Sequence, residues 1–205
     1  MPQITNLKQQ VKNKDRVSVF VDRKYSFSLS SWQWAGAGIK VGDEVTEKQV
    51  EELKDSSEFG KLHDKALMWL MLRPRSAWEL EDYLRRKSEN EALRTAVANR
   101  LKEKKYIDDQ DFAQRWVENR RLLKSVSKLK LKQELIKKRV PKEIIEDTLA
   151  ADETDELEVL KVLVEKKRKI SRYQDDQKLM AYLARQGFRY GAIKEAIEAE
   201  KEITT

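Results

Sequence analysis

Hydrophobic positions change period along the chain. Between residues 17 and 30, Val17, Val19 and Val21 alternate with Ser18, Phe20 and Asp22; after Arg23-Lys24, Tyr25, Phe27 and Leu29 alternate with Ser26, Ser28 and Ser30. A period of two carried by β-branched and aromatic residues predicts the two strands of a hairpin. The turn around Asp22-Arg23-Lys24 lacks the Asn-Gly pair that favours a tight connection, which leaves its geometry open. Thr5, Leu7, Gln9 and Val11 offer a third strand; two strands alone are marginal in water. Helices are expected at Ser31–Ala37, with Trp32 and Trp34, and at Glu47–Phe59, with Val50 and Leu53 on one face.

From residue 61 to 186 there is no Gly, and only Pro74 and Pro141 interrupt. Such a stretch is expected to be helical, with breaks near the two prolines. It also repeats. Ala66, Trp69 and Leu70 return as Ala113, Trp116 and Val117, then as Leu160, Leu163 and Val164, at steps of 47 residues. Leu80 and Leu84 return as Leu131 and Leu135, then as Leu179 and Leu183. Ala96-Val97, Thr148-Leu149 and Ala196-Ile197 close the three units. Seven recurring positions in one order predict three tandem three-helix repeats, at 61–108, 109–155 and 156–205, after a β-rich extension over 1–60 that includes one or two helices. Repeats of this size share a continuous core with their neighbours, so the expected fold is mainly α, an elongated curved array.

Helix ends are marked locally. Ser76-Ala77-Trp78-Glu79 has the form of a capping box. Asp108-Asp109 precedes a helix start, where carboxylates suit the positive end of the dipole. Pro141 with Glu143 fits a first helical turn, and Gly187 fits a helix C-terminus.

Charge sharpens this division. The chain has 43 basic and 36 acidic residues, and residues 61–150 hold 23 of the basic and 15 of the acidic ones. Within them, 120–139 carries nine cations against one acid, Glu134. A field that local points to an acidic or polyanionic partner; a solvated Lys-rich helix face is the plain alternative.

Composition excludes several chemistries. With no Cys and a single His, His63, there is no disulfide, thiolate metal site, Cys nucleophile or His cluster. No run reaches the ~18 to 20 apolar residues of a membrane span, and Met1-Pro2-Gln3-Ile4 does not open a signal peptide, so a cytoplasmic location is expected. Gly36–Gly42 lacks the setting of a phosphate loop and reads as a connector. His63, placed in a hinge before the first repeat, has no nucleophile or orienting partner near it in sequence. Asp108-Asp109 and Asp175-Asp176 are capping pairs before they are Mg²⁺ ligands. No catalytic residue, metal or cofactor is expected. Trp69 and Trp116, at equivalent positions, read as core; Trp78 reads as half exposed.

Several segments resemble one family. Leu72-Arg73-Pro74-Arg75-Ser76-Ala77-Trp78-Glu79-Leu80 with Tyr83-Leu84 is similar to the opening repeat of the RecX proteins, bacterial regulators of the RecA recombinase. Tyr106–Ala113, Lys130–Leu135 and Tyr182–Tyr190 resemble segments of that family's later repeats, so the likeness covers about residues 61–200. The sequence departs from the pattern at Lys87-Ser88 and Arg139, where the family often has Gly after a basic helix end. An N-terminal β-rich extension also occurs in some members.

The resemblance implies a non-enzymatic modulator of DNA repair, recombination and the SOS response. Its partner would be RecA, as a filament on single-stranded DNA, with filament growth and recombinase activity limited by binding. A weak direct DNA contact and a monomeric state are expected. The residues expected to meet RecA or DNA are Arg73, Arg75, Arg120, Arg121, Lys124, Lys128, Lys130, Lys132, Lys137 and Lys138. Two other functions fit the same layout: a stand-alone DNA-binding helical module, and an adaptor repeat that binds only protein.

Overall fold

The computed structural model describes residues 1–204. Three strands, β1 (Ile4–Gln9), β2 (Arg16–Val21) and β3 (Lys24–Ser30), form an antiparallel sheet in chain order. Ten helices follow: α1 (Ser31–Ala37), α2 (Glu47–Leu70), α3 (Ala77–Arg85), α4 (Glu91–Glu103), α5 (Asp109–Leu123), α6 (Lys128–Lys137), α7 (Lys142–Ala150), α8 (Glu156–Arg168), α9 (Asp176–Arg185) and α10 (Tyr190–Thr204). A 3-10 turn, Ser171–Tyr173, lies before α9. The mainly helical fold with a small N-terminal sheet matches the sequence expectation. Contacts divide the chain into two compact units. One is Met1–Pro74 with Leu80–Tyr106; the other is Arg75–Glu79 with the residues from Ile107 onward.

In the first unit the period of two becomes a buried face. Val19, Phe27 and Leu29 join Ile4, Ile39, Val45 and Val50 in one core. The β2–β3 turn places Asp22 at φ 48° and Arg23 at φ 67°, the two positive angles of a type I′ turn, here without Asn or Gly. Two bonds at the start of β1 hold it: Gln3 N donates to Asp22 Oδ1 at 3.0 Å and Arg23 N to Thr5 Oγ1 at 2.8 Å. Arg16 is buried beneath the sheet, bonded to Ser28 O at 2.7 Å and paired with Asp64 of α2 at 3.0 Å.

The expected helix end at Phe59, and the hinge expected around His63, are corrected. α2 runs unbroken through Gly60 and His63. Gly60 is there because a Cβ would overlap the carboxamide of Gln33, which reaches in from the capping box of α1 to bond Ser56. A close approach therefore explains this glycine, and helix termination does not. His63, stacked on Phe59 at 5.8 Å, is a half-buried packing residue of the helix interior.

Most repeat positions fall inside, but Ala96 is exposed and Trp69 and Trp116, expected in the core, are half-buried at its edge. Ala66, Leu70, Ala113, Val117, Leu160, Leu163 and Val164 are buried, as are all six leucines of the second pattern. In the second unit, α5–α7 enclose one core around Phe112, Leu131, Leu135 and Ile145, and α8–α10 another around Leu160, Leu183, Phe188 and Ile193.

The two groups of this unit, and the first turn of α3, are joined by a recurring device. Ser76 closes its capping box with Glu79 and also donates its Oγ to the carbonyl of Lys138, at the end of α6, at 2.8 Å. Ser127, capping α6, donates to Gln186 O at the end of α9 at 2.9 Å. Beside each serine, the first helical amide meets a carboxylate. Ala77 N donates to Asp109 at 2.8 Å, and Lys128 N donates to Glu156. Orphan donors at one helix start are thus satisfied by the next repeat's helix ends.

Candidate interaction surface

The cations of residues 120–139 separate once the helices form. Arg121, near the end of α5, is held by Asp152 at 2.6 Å, with side-chain exposures of 11% and 6%, and donates to Val126 O at 2.6 Å. Arg168, 47 residues on, repeats the arrangement: it pairs with Asp176 and with Glu200 at 3.2 Å, and donates to Tyr173 O at 3.0 Å. In both repeats an arginine ending the first helix secures the loop into the second. Lys128 Nζ donates to Asp152 O. Arg120 bonds Glu134 at 2.7 Å over the half-buried ring of Trp116, whose Nε1 donates to the same carboxylate at 2.9 Å. Lys138 pairs with Glu79 at 2.9 Å and lies 5.4 Å from the Trp116 ring.

These contacts shape the titration of the carboxylates. Burial alone would push Asp152 up, but hydrogen bonds from Arg121 and Thr154 outweigh it and hold its carboxyl below the ordinary value. Hydrogen bonds from Lys201 and Arg168 lower Asp176 in the same direction.

The remaining expected contact residues differ in exposure. Lys124 and Lys137 are exposed and Lys130 is half-buried; none of the three has an ion pair among the described residues. Lys132 faces Glu146 at 3.7 Å across an exposed surface, a pair of small energetic weight. Leu122 and Leu123, beside Lys124, are 82% and 75% exposed, so this tip is apolar as well as basic. Arg73 is exposed after α2 and donates to Pro74 O at 2.9 Å; Arg75, in the second unit, is half-buried. Within the second unit the nine expected residues thus form no single outward cluster. Lys124, Lys130 and Lys137 are the outward set on α5–α6.

Arg16 and Arg168 are not among the residues expected from the sequence. Arg168 was within reach, since it stands one 47-residue step after Arg121. Arg16 gives no such signal. Asp108 and Asp175 cap α5 and α9, accepting backbone N–H groups of their first turns. Among the described residues no helix is long and apolar enough to cross a membrane.

Comparison with known proteins agrees with this architecture. Residues 2–46 match the model of the regulatory protein RecX N-terminal domain, 108–149 the RecX second three-helix domain and 153–197 the third. The regulatory protein RecX of Clostridium botulinum (strain Eklund 17B / Type B) is 31% identical, over 97% of this chain and 96% of the relative. That of Bacillus licheniformis is 30% identical, over 97% and 77%. A crystal structure of regulatory protein RecX superposes with a TM-score of 0.76, at 21% identity, covering 97% of this chain and all of that one. RecX from Lactobacillus salivarius gives 0.59 at 26% identity, over 69% of this chain and 95% of the other.

Proposed function

The chain belongs to the RecX family, and from that premise we propose that it is a non-enzymatic modulator of RecA. It binds RecA filaments on single-stranded DNA in the cytoplasm and limits their growth and recombinase activity. It acts as a monomer built from an N-terminal β-rich part and three repeats, over 61–108, 109–155 and 156–205. The observation that carries the contact site is the outward set of Lys124, Lys130 and Lys137, cations that no carboxylate of the described chain neutralises, beside the exposed Leu122 and Leu123. A rigid helical frame with unneutralised cations favours an acidic protein surface and steers encounter with it. Binding at a growing end or across protomers changes assembly by linkage alone, so no catalytic group is required.

The test adds the protein to RecA filaments on single-stranded DNA and follows ATP hydrolysis and filament length. A stoichiometric fall in both is expected; folded protein without effect at stoichiometry contradicts the reading.

A further inference from the structure

The three tryptophans of the first two repeats differ in cover. Trp69 is stacked on Tyr83, centroids 4.4 Å apart, and Trp116 lies half-buried under Arg120 and Lys138. Trp78, in the first turn of α3, is 38% exposed. Arg139 lies over it, the guanidinium carbon 5.8 Å from the ring centroid. The cations over Trp116 are neutralised by Glu134 and Glu79. Among the described residues Arg139 has no carboxylate partner.

Arg139 is also strained. Its φ is 56°, a left-handed conformation unfavourable for a residue with a side chain. The equivalent residue after α9 is Gly187, at φ 88°. Lys105 after α4 adopts the same left-handed angle, φ 57°, so the conformation alone does not mark the site, and the backbone bonds are alike at Arg139 and Gly187. Arg139 N donates to Ile136 O and Val140 N to Leu135 O; likewise Gly187 N donates to Ala184 O and Phe188 N to Leu183 O. A glycine at 139 would make the same bonds without strain. What the arginine adds is an exposed, unneutralised guanidinium on an open indole.

We infer that Trp78 and Arg139 form a stacking platform for a base of single-stranded nucleic acid, with the guanidinium edge and the exposed Lys137 meeting the adjoining phosphates. Bases stack on indole and on guanidinium planes alike, without sequence preference. The guanidinium fork matches phosphate oxygens in bidentate fashion. An acidic peptide would use the fork but has no use for the open indole, which favours a nucleic acid. This contact is independent of the RecA reading and is tested without RecA.

The experiment measures fluorescence anisotropy of two labelled strands of equal length, an oligothymidylate and its abasic counterpart, at fixed salt. The intact protein is expected to favour the base-bearing strand at least about fivefold. Arg139→Gly and Trp78→Leu should each remove most of that preference while changing abasic binding less. Arg139→Gly suits the local φ, and a thermal melt checks that it remains folded. Arg139→Lys should keep phosphate affinity and lose the base preference. Equal affinity for both strands, no binding to either, or variants that keep the preference each overturn the proposal. Oligoglutamate that displaces the abasic strand from a protein without base preference reassigns the surface to acidic peptides.

Discussion

The inner and outer faces of residues 120–139 carry the same residue types with opposite consequences. Inside, Arg121 and Lys138 are fixed by Asp152 and Glu79, and Arg120 by Glu134. Outside, Lys124, Lys130 and Lys137 have no ion pair among the described residues. A buried cation is tolerated because its donors are all used, and it becomes a structural pin. An exposed one contributes little to folding and remains available to a partner. Net charge along a sequence therefore overstates what a surface presents. Six of the nine cations lie outside the outward set, and four of those six, Arg120, Arg121, Lys128 and Lys138, hold structure together.

The largest effect should come from breaking the inner face. Arg121→Ala leaves Val126 O without its donor and the buried Asp152 carboxylate without its cation, bonded only by Thr154, and is expected to lower unfolding free energy by about 3–5 kcal/mol. Lys124→Ala and Lys137→Ala should stay within about 0.5 kcal/mol in the same denaturant titration. Similar values for all three would erase the distinction between the faces.

The helix ends sharpen it next. Gly187→Ala places a methyl group at φ 88° against Ser127 Oγ, which bonds Gln186 O. A loss of about 2 kcal/mol or more is expected from strain and the displaced bond together. Calorimetry showing no loss would mean that the Ser127 contact yields freely.

Acid should act through the inner face. Asp152 and Asp176 are depressed in the folded state. Their contributions are complete above the ordinary aspartate range near pH ~3.9 and disappear as pH falls through their lower folded values. Asp152→Asn should therefore flatten the fall in stability below about pH 4. An unchanged slope in urea titrations over that range would remove Asp152 from the acid response.

The smallest effect has the opposite sign. Arg139→Gly relieves a left-handed arginine at the expense of an exposed cation–π contact worth ~0.5–1 kcal/mol, so stability should be unchanged or rise by up to about 1 kcal/mol. A drop in melting temperature would show that the contact with Trp78 outweighs the strain.

Periodicity made most of the architecture legible. The alternation around Val17–Leu29 and the 47-residue recurrence of Ala66, Ala113 and Leu160 each reflect one buried face, which a linear pattern records directly. The end expected at Phe59 failed because Gly60 sits inside the helix to admit Gln33, a residue distant in sequence. The turn at Asp22-Arg23 was hidden for a similar reason, since Gln3 and Thr5 stabilise its positive φ angles from another strand. The candidate surface was only half legible. Composition located the cations, but their partners Asp152 and Glu79 come from other helices, and no local pattern pairs them. Arg139 was legible as a departure from the family pattern, but its contact with Trp78 was not.

The most direct measurement uses the outer face alone. Lys124→Glu/Lys130→Glu/Lys137→Glu, shown by circular dichroism and melting to be folded, is titrated into RecA filaments on single-stranded DNA while ATP hydrolysis is followed beside the unaltered protein. The proposed contact predicts that inhibition is lost or needs at least tenfold (~1.4 kcal/mol) more protein. Full inhibition at the unaltered concentration would contradict it.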